Sequence, residues 1–396
     1  MKRVVGIAYT EYMSDPRVRR EAEALVQRGD QVTVLSLHEA NRPEREVVEG
    51  VRVQRVPIAR YRGAGYHGYV RGYLEFFARV LAWAVMHPAP DVVHVHTIPD
   101  ALIFAAGASR LRGCRLVLDV HDLTPDLFAL KFGTHSAAVK VLQLVERASL
   151  GFADGVITVH ELYGSLLATR GVGPERVYVV MNVPDDRFFV SLRHDPRPAE
   201  SEDVRVVYHG TLTERYGVDV LLEAFAGACR EIPRLRLSVY GDGEYRPTAL
   251  RMATRLGLNR GIKFSSGFIP VERVLPFLAD ADIGVVPNRQ NPFTERILPS
   301  KLMEYAALGL PAIVSRTGLV QSYFSDDMVR YVAPASVDDL RRALIELATD
   351  PGTRRRLGTN IQRFSREHTW SRNKEELFCA IDGRPPHRLP SRPVSV

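Results

Sequence analysis

Short apolar segments alternate with longer amphipathic segments along almost the whole chain. Residues 3–9 form an apolar stretch, residues 16–27 follow a helical pattern that stops before Gly29, and residues 31–37 are apolar again. A strand, a helix and a second strand in this order make a βαβ unit, which is typical of a parallel sheet. Further strands are predicted at 51–57, 91–96, 115–120, 155–159 and 177–181, with helices at 100–111, 136–151 and 162–170.

The apolar pattern stops over residues 182–203, which carry three prolines and many charged side chains, and then begins again. The alternation on both sides of this break predicts an α/β protein with two doubly wound, Rossmann-like domains. We place the domains at 1–183 and 184–368, with a last helix at about 369–382 that packs back on the first domain and a disordered tail at 383–396. In the second domain, strands are predicted at 204–209, 236–241, 262–264, 283–287 and 312–315, and helices at 218–230, 245–256, 271–279, 301–308 and 337–349.

Composition narrows the class of protein. Hydrophobic residues make up 45% of the 396, which suits a globular protein, and the longest apolar runs are too short to span a bilayer. No signal-peptide cleavage site follows the N-terminus, and three widely spaced cysteines fit neither a disulfide framework nor a zinc site, so we expect a cytoplasmic location. The net charge of +7 indicates anionic partners or simply an arginine-rich genome. Nucleic acid is not expected, because no basic run contains interleaved aromatic residues.

In doubly wound sheets, ligands bind in the loops at the carboxyl ends of the strands, and two facing domains form a natural cleft. The loop after strand 283–287 leads into a helix that we expect Ser300 to cap and Gly309 to end. The N-terminus of this helix offers free N–H groups, which suit a diphosphate. Lys301 stands in its first turn, where a cation is unfavourable unless an anion neutralises it, and Glu304 lies on the same face. A surface ion pair between Lys301 and Glu304 is the alternative interpretation.

Two more strand-end loops in the second half carry glycine. Gly210 follows the first strand, and Arg215 precedes Gly217 at the entry to a helix. This loop again places a cation beside a helix N-terminus. Gly241 and Gly243 close the next strand, although glycine pairs are common turn devices and are a weak signal alone.

In the first half, His121 and Asp122 come directly after a buried strand. A single histidine is more often structural than functional. The neighbouring Asp119, Thr124 and Asp126 favour function, because a buried strand seldom ends in so many polar groups without a use.

Three other patterns have simpler interpretations. The G-x-G-x-x-G pattern at 63–68 follows the third strand rather than the first, so we interpret it as a loop and not as a dinucleotide-binding turn. Asp280 and Asp282 form a D-x-D pattern, but they join a helix to a strand, at the end opposite to the ligand loops. His94 and His96 point to one face of a strand, but the sequence places no third ligand near them, so no metal site is predicted.

Aromatic and aliphatic side chains recur at helical spacing between Tyr66 and Trp83, beside several arginines. One interpretation is a core-packed helix with solvated arginines. The other is an amphipathic helix that makes peripheral contact with the inner face of a membrane and so meets a lipid-linked acceptor.

Together these loops resemble those of the retaining glycosyltransferases of family 4, which have the GT-B fold. The resemblance extends from the first strand to about residue 381. In that family the second domain binds the nucleotide-sugar and the first binds the acceptor. The stretch HGTLTERYG is similar to the family's diphosphate loop. LPSKLMEYAALGLPAIVS is similar to its donor-binding helix, which implies that Glu304 holds the ribose hydroxyls.

The resemblance implies a role for each matching residue. His121 matches the family's cleft histidine near the transferred sugar, and with Arg215 and Lys301 it forms the implied catalytic set. No metal or other cofactor is implied. The implied donor-binding residues are Gly210, Thr211, Gly241, Gly243, Glu295, Ser300, Leu302 and Glu304, and the implied acceptor-side residues are Asp15, Arg17 and Asp122.

The chain departs from the family pattern at the sugar contact. Many members have two glutamates eight residues apart, the first of which binds the sugar. Here Arg296 stands eight residues before Glu304, and Glu295 misses the spacing by one. The chain resembles the branch that keeps only the second glutamate, within an S-x-K-x-x-E-Y pattern.

A second departure lies in the diphosphate loop. Many members have an arginine after the loop glycine and a lysine before the later one, where this chain has Thr211 and Tyr216. Arg215 and Lys301 must therefore supply the positive charge.

The implied function is the transfer of a sugar from a UDP- or GDP-linked donor to a sugar or lipid-linked acceptor, with retention of configuration. Such a hexosyltransferase-type enzyme (EC 2.4) would serve polysaccharide, glycolipid or glycoconjugate biosynthesis. Fixed cations lower the barrier because the departing diphosphate gains negative charge, and the leaving phosphate can accept the acceptor's proton. Two alternatives stay open, a catalytically idle nucleotide-sugar-binding module and a nucleotide-sugar epimerase of similar architecture. The donor's base and sugar, the acceptor, the linkage and the oligomeric state are also open.

Overall fold

The computed structural model describes residues 1–61, 66–132, 136–189, 192, 203–258, 260–267 and 269–387. The first three residues of the G-x-G-x-x-G pattern and residues 388–396 of the predicted tail lie outside these ranges. Contacts divide the chain into two units. Unit 1 comprises Met1–Asn182 and the segment from Ser371 onward, and unit 2 comprises Val183–Trp370.

Unit 1 is built on a twisted sheet in which eight strands are described, in the order β3-β4-β2-β1-β5-β6-β7-β8. All neighbouring strands are parallel except β3 and β4, which form a hairpin that the sequence pattern did not predict. The strands are β1 (Arg3–Ala8), β2 (Gln31–Leu37), β3 (Arg45–Val48), β4 (Val51–Val56), β5 (Val92–His96), β6 (Arg115–Val120), β7 (Gly155–Thr158) and β8 (Val177–Val179).

Helices cover the sheet of unit 1. The helix predicted over 100–111 is present, but Asp100–Ala106 is a 3-10 helix and only the four residues after it are α-helical. The α-helices are α1 (Pro16–Gln27), α2 (Tyr66–Met86), α3 (Gly107–Arg110), α4 (Thr124–Phe132), α5 (Ala137–Phe152) and α6 (Glu161–Thr169).

Helix α2 combines a buried face with an exposed apolar one. Phe76 and Val80 lie in the core of unit 1, which confirms the core-packed interpretation for that face. Val70, Leu74 and Val85 are exposed on the same helix. None of the described helices has the length and the apolar sequence that a membrane span requires.

Unit 2 has a sheet in which six parallel strands are described, in the order β11-β10-β9-β12-β13-β14. The strands are β9 (Val204–His209), β10 (Leu235–Tyr240), β11 (Ile262–Phe264), β12 (Ile283–Val286), β13 (Ala312–Ser315) and β14 (Arg330–Val332). In both sheets the strand order reverses at the first strand, between β1 and β5 and between β9 and β12. Ligands of doubly wound sheets bind at such reversals, outside the carboxyl ends of the strands.

The helices of unit 2 include one that the apolar pattern missed. Its start carries a clear signal, because the Asp350 side chain accepts a hydrogen bond from Thr353 N–H and Pro351 occupies the first helical position. The helices are α7 (Asp186–Phe189), α8 (Val218–Glu231), α9 (Arg246–Arg255), α10 (Val271–Ala279), α11 (Ser300–Leu308), α12 (Gly318–Tyr323), α13 (Val337–Thr349) and α14 (Pro351–Glu367).

The last helix, α15 (Trp370–Asp382), packs on unit 1. Asn373 accepts a hydrogen bond from the backbone N–H of Met181, and Lys2 donates to the carbonyl of Ile381. Leu377 is completely buried. The helix therefore contributes to the core of the unit that contains the N-terminus.

We expect Leu377→Ala to destabilise unit 1 by about 2–5 kcal/mol, because the substitution opens a cavity under α15. Hydrogen exchange should show lost protection in β1 and β8 but unchanged protection in β9. Glu375→Ala, on the exposed side of the same helix, serves as the control and should change stability by less than about 0.5 kcal/mol. Equal losses in the two units would contradict the assignment of α15.

Candidate functional site

The strand-end loops of unit 2 are bonded to one another. After β9, Gly210 N–H donates to the carbonyl of Tyr240 (2.9 Å), and Leu212 N–H donates to the carbonyl of Asp242 (2.9 Å). The loop after β10 is in turn bonded to the residue that follows β11, because the backbone N–H of Gly241 donates to the Ser265 hydroxyl (3.0 Å). Together they form a continuous floor at the carboxyl end of the sheet.

Two glycines make this close approach feasible. Gly241 has a φ of +150°, and a Cβ there would lie 1.9 Å from the carbonyl oxygen of Gly210. Gly217 has a φ of +68°, and a Cβ there would lie 1.9 Å from the carbonyl oxygen of Pro287. A side chain at either position would separate loops that now touch. The glycines that looked like ordinary turn residues in the sequence are therefore required by the packing of three strand-end loops.

Lys301 lies in the first turn of α11 and is buried. Its Nζ lies 4.0 Å from the centroid of the Tyr208 ring and beside Gly210, where a Cβ would come within 3.5 Å of it. Among the described residues, Nζ has no hydrogen-bond partner. Burial lowers the pKa of Lys301 to about 7, although the charge of Glu304 acts in the opposite direction. The ammonium group is thus buried without a hydrogen-bonded or ion-paired partner among the described residues.

The start of α11 differs from the sequence prediction. The helix begins at Ser300 itself, and the capping position falls on Pro299, which has no side chain that could cap. The predicted cap at Ser300 was therefore wrong. The backbone N–H of Leu302 donates to the carbonyl of Pro299 (3.0 Å) and is not available to a ligand. Within the described residues, the N–H groups of Ser300 and Lys301 have no such partner.

Arg215 is exposed and lies close to Lys301, beside the ring of Tyr216. Its guanidinium carbon is 5.2 Å from the ring centroid of Tyr216 and 5.3 Å from that of Phe293. The Nζ of Lys301 is also 5.2 Å from the Tyr216 ring. The two predicted cations therefore flank one aromatic ring, next to the predicted donor residues Gly210 and Thr211.

Glu304 does not pair with Lys301. Its Oε2 lies 2.5 Å from the Nε2 of His209, the last residue of β9, and the Nδ1 of His209 lies 3.1 Å from the Tyr305 hydroxyl. The alternative of a simple Lys301–Glu304 ion pair is thus wrong. Sequence analysis did not place His209 among the site residues, although its position directly before Gly210 at a strand end was a usable signal.

Glu295 is turned toward another element. Its Oε2 accepts a hydrogen bond from the backbone N–H of Gly318 (2.7 Å), at the start of α12. Its Oε1 is buried and accepts no hydrogen bond from the described residues. One oxygen of this carboxylate is therefore structural, and the other is buried without a hydrogen-bond partner among the described residues.

Unit 1 has a cavity of about 220 Å³ at the carboxyl ends of β1, β5 and β6. Three residues that the sequence analysis selected, Asp15, His121 and Asp122, line it. The predicted donor-binding residue Gly243 belongs to unit 2 and does not line this cavity. The remaining lining residues are Ala8, Tyr9, Thr10, Val18, Arg60, Tyr69, Tyr73, His96, Thr97 and Ile98.

Arg17 lies behind this cavity and is only 5% exposed. It donates from Nε and NH2 to the two oxygens of Asp119 (2.7 and 2.9 Å) and from NH1 to the Val180 carbonyl and the Asn182 side chain (2.9 and 2.8 Å). Its NH2 also lies 3.2 Å from Glu21. Four of the five guanidinium donors thus form hydrogen bonds, and the contact with Glu21 adds an ion pair. The geometry thus favours a structural role for Arg17 over the predicted contact with an acceptor.

Behind Arg17, His94 and His96 join Glu21 and Asp119 in a buried cluster whose ligand-type atoms all lie within 4.8 Å of one another. The fold therefore brings two carboxylates close to the histidines, which the sequence alone did not predict. Burial raises the pKa of Glu21 to about 7 and lowers that of His94. Because the Arg17 guanidinium already occupies both oxygens of Asp119, we interpret the cluster as an ion-pair network rather than as a metal centre.

His121 faces the cavity with 20% of its side chain exposed. Its Nδ1 lies 3.9 Å from Asp119, which is an ion-pair distance rather than a hydrogen bond. Burial alone would lower the pKa of His121, but the charges of Asp119 and Asp122 raise it to about 9. The imidazole is therefore positively charged at neutral pH.

Asp15 and the D-x-D pair have identifiable structural partners. Asp15 is the N-cap of α1 and accepts hydrogen bonds from the N–H groups of Arg17 and Val18 with one oxygen. Asp282 accepts from the backbone N–H of Arg205 (2.8 Å), and Asp280 pairs with the Arg205 side chain. The D-x-D pattern lies at the amino end of the sheet, away from the ligand loops.

The fold and the site define a two-unit α/β protein in which two cations, Lys301 and Arg215, lie at the end of the first strand of the second sheet. Residues 14–182 match the family described as "Glycosyl transferase 4-like domain", and residues 193–364 match "Glycosyl transferases group 1". The chain therefore belongs to the glycosyltransferases that combine these two domains, the family-4 type with the GT-B fold.

Curated relatives are glycosyltransferases. The chain is 27% identical to one subunit of the Arabidopsis thaliana phosphatidylinositol N-acetylglucosaminyltransferase, over 82% of this chain and 68% of the relative. It is 26% identical to a D-inositol 3-phosphate glycosyltransferase of Streptomyces bingchenggensis, over 83% and 75%. The match to a GDP-mannose-dependent mannosyltransferase of Mycolicibacterium smegmatis, at 27% identity, spans only 45% of this chain and 48% of the relative.

Solved structures share the fold. Sucrose-phosphate synthase from Thermosynechococcus elongatus superposes with a TM-score of 0.73 at 18% identity, covering 96% of this chain and 98% of that one. WaaG, a glycosyltransferase involved in lipopolysaccharide biosynthesis, gives 0.69 at 19% identity, covering 96% and 100%. Anabaena HepE in complex with UDP-glucose gives 0.70 at 15% identity, covering 97% and 100%.

The burial of Lys301 predicts a pH-dependent stability. Its pKa is about 7 in the folded protein, against about 10.4 in an unfolded chain, so between these pH values the unfolded state binds the extra proton and stability rises with pH. Lys301→Met removes this titration. We expect the ligand-free variant to melt at a higher temperature than the wild type below pH 7, and the difference to shrink as the pH rises to 9.

Thermal unfolding at pH 6, 7, 8 and 9 measures this difference. Lys263→Met, which replaces an exposed lysine of the same unit, is the control and should follow the wild type. A Lys301→Met advantage that does not change with pH would contradict the buried charge.

Proposed function

We propose that the chain is a retaining hexosyltransferase that moves a sugar from a UDP- or GDP-linked donor to a sugar or lipid-linked acceptor. The observation that carries this proposal is the buried ammonium of Lys301, which has no hydrogen-bond partner among the described residues. A buried charge is costly unless it is paired, so such a group indicates a site that a ligand completes.

The ligand that fits best is the diphosphate of a nucleotide-sugar. The N–H groups of Ser300 and Lys301 lie at the start of α11, where the helix dipole favours an anion. Arg215 supplies a second cation across the Tyr216 ring. As the anomeric C–O bond breaks, the diphosphate gains negative charge, and fixed positive groups lower that barrier.

The other donor contacts follow from the same helix. Glu304 accepts hydrogen bonds from the ribose hydroxyls, and the Oε1 of Glu295 serves the sugar. The floor that Gly210, Thr211 and Gly241 form lies under the phosphates. Charge stabilisation by Lys301 and Arg215 leaves no need for a metal in this proposal, and the departing phosphate accepts the acceptor's proton.

The acceptor site in this proposal is the cavity of unit 1. Asp15 and Asp122 provide oxygens for sugar hydroxyls, Tyr69 and Tyr73 provide rings for the apolar face of a sugar, and His121 provides a charged imidazole. Arg60 adds a cation. Two of the relatives are named for acceptors that contain inositol and phosphate, which supports an acceptor of that type.

A thermal-shift panel of UDP-, GDP- and ADP-sugars tests the donor site first. A ligand at 100 times its dissociation constant raises stability by about 2.7 kcal/mol, which is easily measured. Binding without transfer would favour an idle binding module, and interconversion of the donor sugar without acceptor would favour an epimerase. The anomeric configuration of the product, determined by NMR, tests retention.

We expect Lys301→Ala and Arg215→Ala each to lower turnover by roughly a hundredfold or more, because each removes a charge that stabilises the leaving group. Release of nucleoside diphosphate, measured with inositol phosphate and sugar acceptors, reports the rate. Lys263→Ala, an exposed cation of unit 2, should keep the wild-type rate. Near-wild-type turnover in both site variants would remove the diphosphate assignment.

Membrane contact through α2 is part of this proposal, at the cytoplasmic face of the membrane. The helix exposes Val70, Leu74 and Val85 (54%, 64% and 59%) beside the exposed Arg71, a combination that suits the boundary of an anionic bilayer. Insertion of these apolar side chains would bring the cavity of unit 1 to a lipid-linked acceptor.

We expect the protein to float with liposomes that contain anionic lipid at low salt, and Leu74→Glu to weaken this binding severalfold because it places a charge in the apolar face. Val47→Glu makes the same type of change at an exposed residue of β3 and should leave flotation unchanged. If the wild type does not float at low salt, the membrane proposal fails.

A further inference from the structure

We propose that His209 is a positioning residue for nucleotide recognition, which holds the Glu304 carboxylate so that its second oxygen faces the donor's ribose hydroxyls. This proposal rests on the proposed function, since it concerns the ribose contact of the same site. It assigns a role to a residue that the charge pattern of the sequence did not single out.

His209 is itself held firmly. It is the last residue of β9, where it pairs with Tyr240 of β10, and only 8% of its surface is exposed. Its Nδ1 lies 3.1 Å from the hydroxyl of Tyr305, a fully buried side chain of α11. The imidazole is thus fixed at its backbone and at one ring nitrogen before it meets Glu304.

The contact with Glu304 has a defined direction. A carboxylate oxygen only accepts hydrogen bonds, so the Nε2 of His209 carries the proton and donates to Oε2 at 2.5 Å. Nδ1 is the nitrogen that faces the Tyr305 hydroxyl, whose oxygen also lies 3.4 Å from the Val207 carbonyl. This arrangement uses one oxygen of Glu304 and leaves Oε1 without a hydrogen-bond partner in the described part of the chain.

The same contact prevents an ion pair that would block the site. Lys301 and Glu304 are three residues apart on one helix face, where opposite charges normally attract. Instead the ammonium of Lys301 lies over the ring of Tyr208, and the carboxylate lies against His209. Two consecutive residues of β9 therefore keep the two charges apart, so that each can bind its own part of a nucleotide.

The test compares UDP, GDP and ADP with their 2′,3′-dideoxy counterparts, in binding titrations with the full chain. For the base that binds the wild type, we expect loss of the ribose hydroxyls to weaken binding by about tenfold or more, the usual effect of a hydrogen bond to a charged group. Glu304→Gln should reduce this ribose-dependent ratio to about threefold or less.

His209→Phe removes the donor but keeps a ring, and we expect it to reduce the ratio as Glu304→Gln does. His209→Gln can still donate to Glu304 and should recover a part of the ratio. His209→Asn, which is polar but too short to reach Glu304, provides the test if His209→Phe does not fold. A residue that only supported the fold would lower the affinity for both nucleotides alike and leave the ratio unchanged.

The outcomes separate this proposal from the function on which it rests. A wild-type ratio in His209→Phe or His209→Asn, with nucleotide binding intact, would overturn the role of His209 and leave the donor site standing. A wild-type ratio in Glu304→Gln would do the same, because Glu304 would then not bind the ribose. If the wild type bound none of the three nucleoside diphosphates, the proposed function would fail as well.

Discussion

The second unit has at its centre a buried ammonium group that has no hydrogen-bonded or ion-paired partner among the described residues. Lys301 lies against the ring of Tyr208, and the helix start and the glycine loops meet around it. Burying a cation in this way costs stability, and the burial lowers the pKa of Lys301 because no ion pair compensates for the lost hydration. The strand-end loop that contains Gly210 and the start of α11 therefore meet at this group.

Strand order determines where such a site can form. In each sheet the first strand lies between neighbours whose connections run to opposite sides, which opens a crevice at its carboxyl end. In unit 2 this crevice contains positive groups, and in unit 1 it contains carboxylates, tyrosines and two histidines. Two doubly wound sheets thus present different chemistry, because the residues of their strand-end loops differ.

The alternation of apolar and amphipathic segments predicted both sheets, since parallel strands buried on both faces leave a strong pattern. It missed α14, which is largely polar, and it did not reveal that the first part of the predicted helix, Asp100–Ala106, is a 3-10 helix. The sequence could predict only those site residues whose place follows from their position in a helix or a strand-end loop. Lys301 and Arg215 follow from helix starts, whereas the partner of Glu304 depends on which strand lies beside α11.

Two buried cations show how a structural charge differs from one that awaits a ligand. Both looked alike in the sequence, as basic residues near a helix N-terminus behind a strand. Arg17 uses four of its five donors in hydrogen bonds to Asp119, Val180 and Asn182, and it forms an ion pair with Glu21. Lys301 is buried to a similar degree and uses none among the described residues. Because unpaired burial is unstable without compensation, donors left unused at a strand-end crevice are a better guide to a binding site than charge or motif.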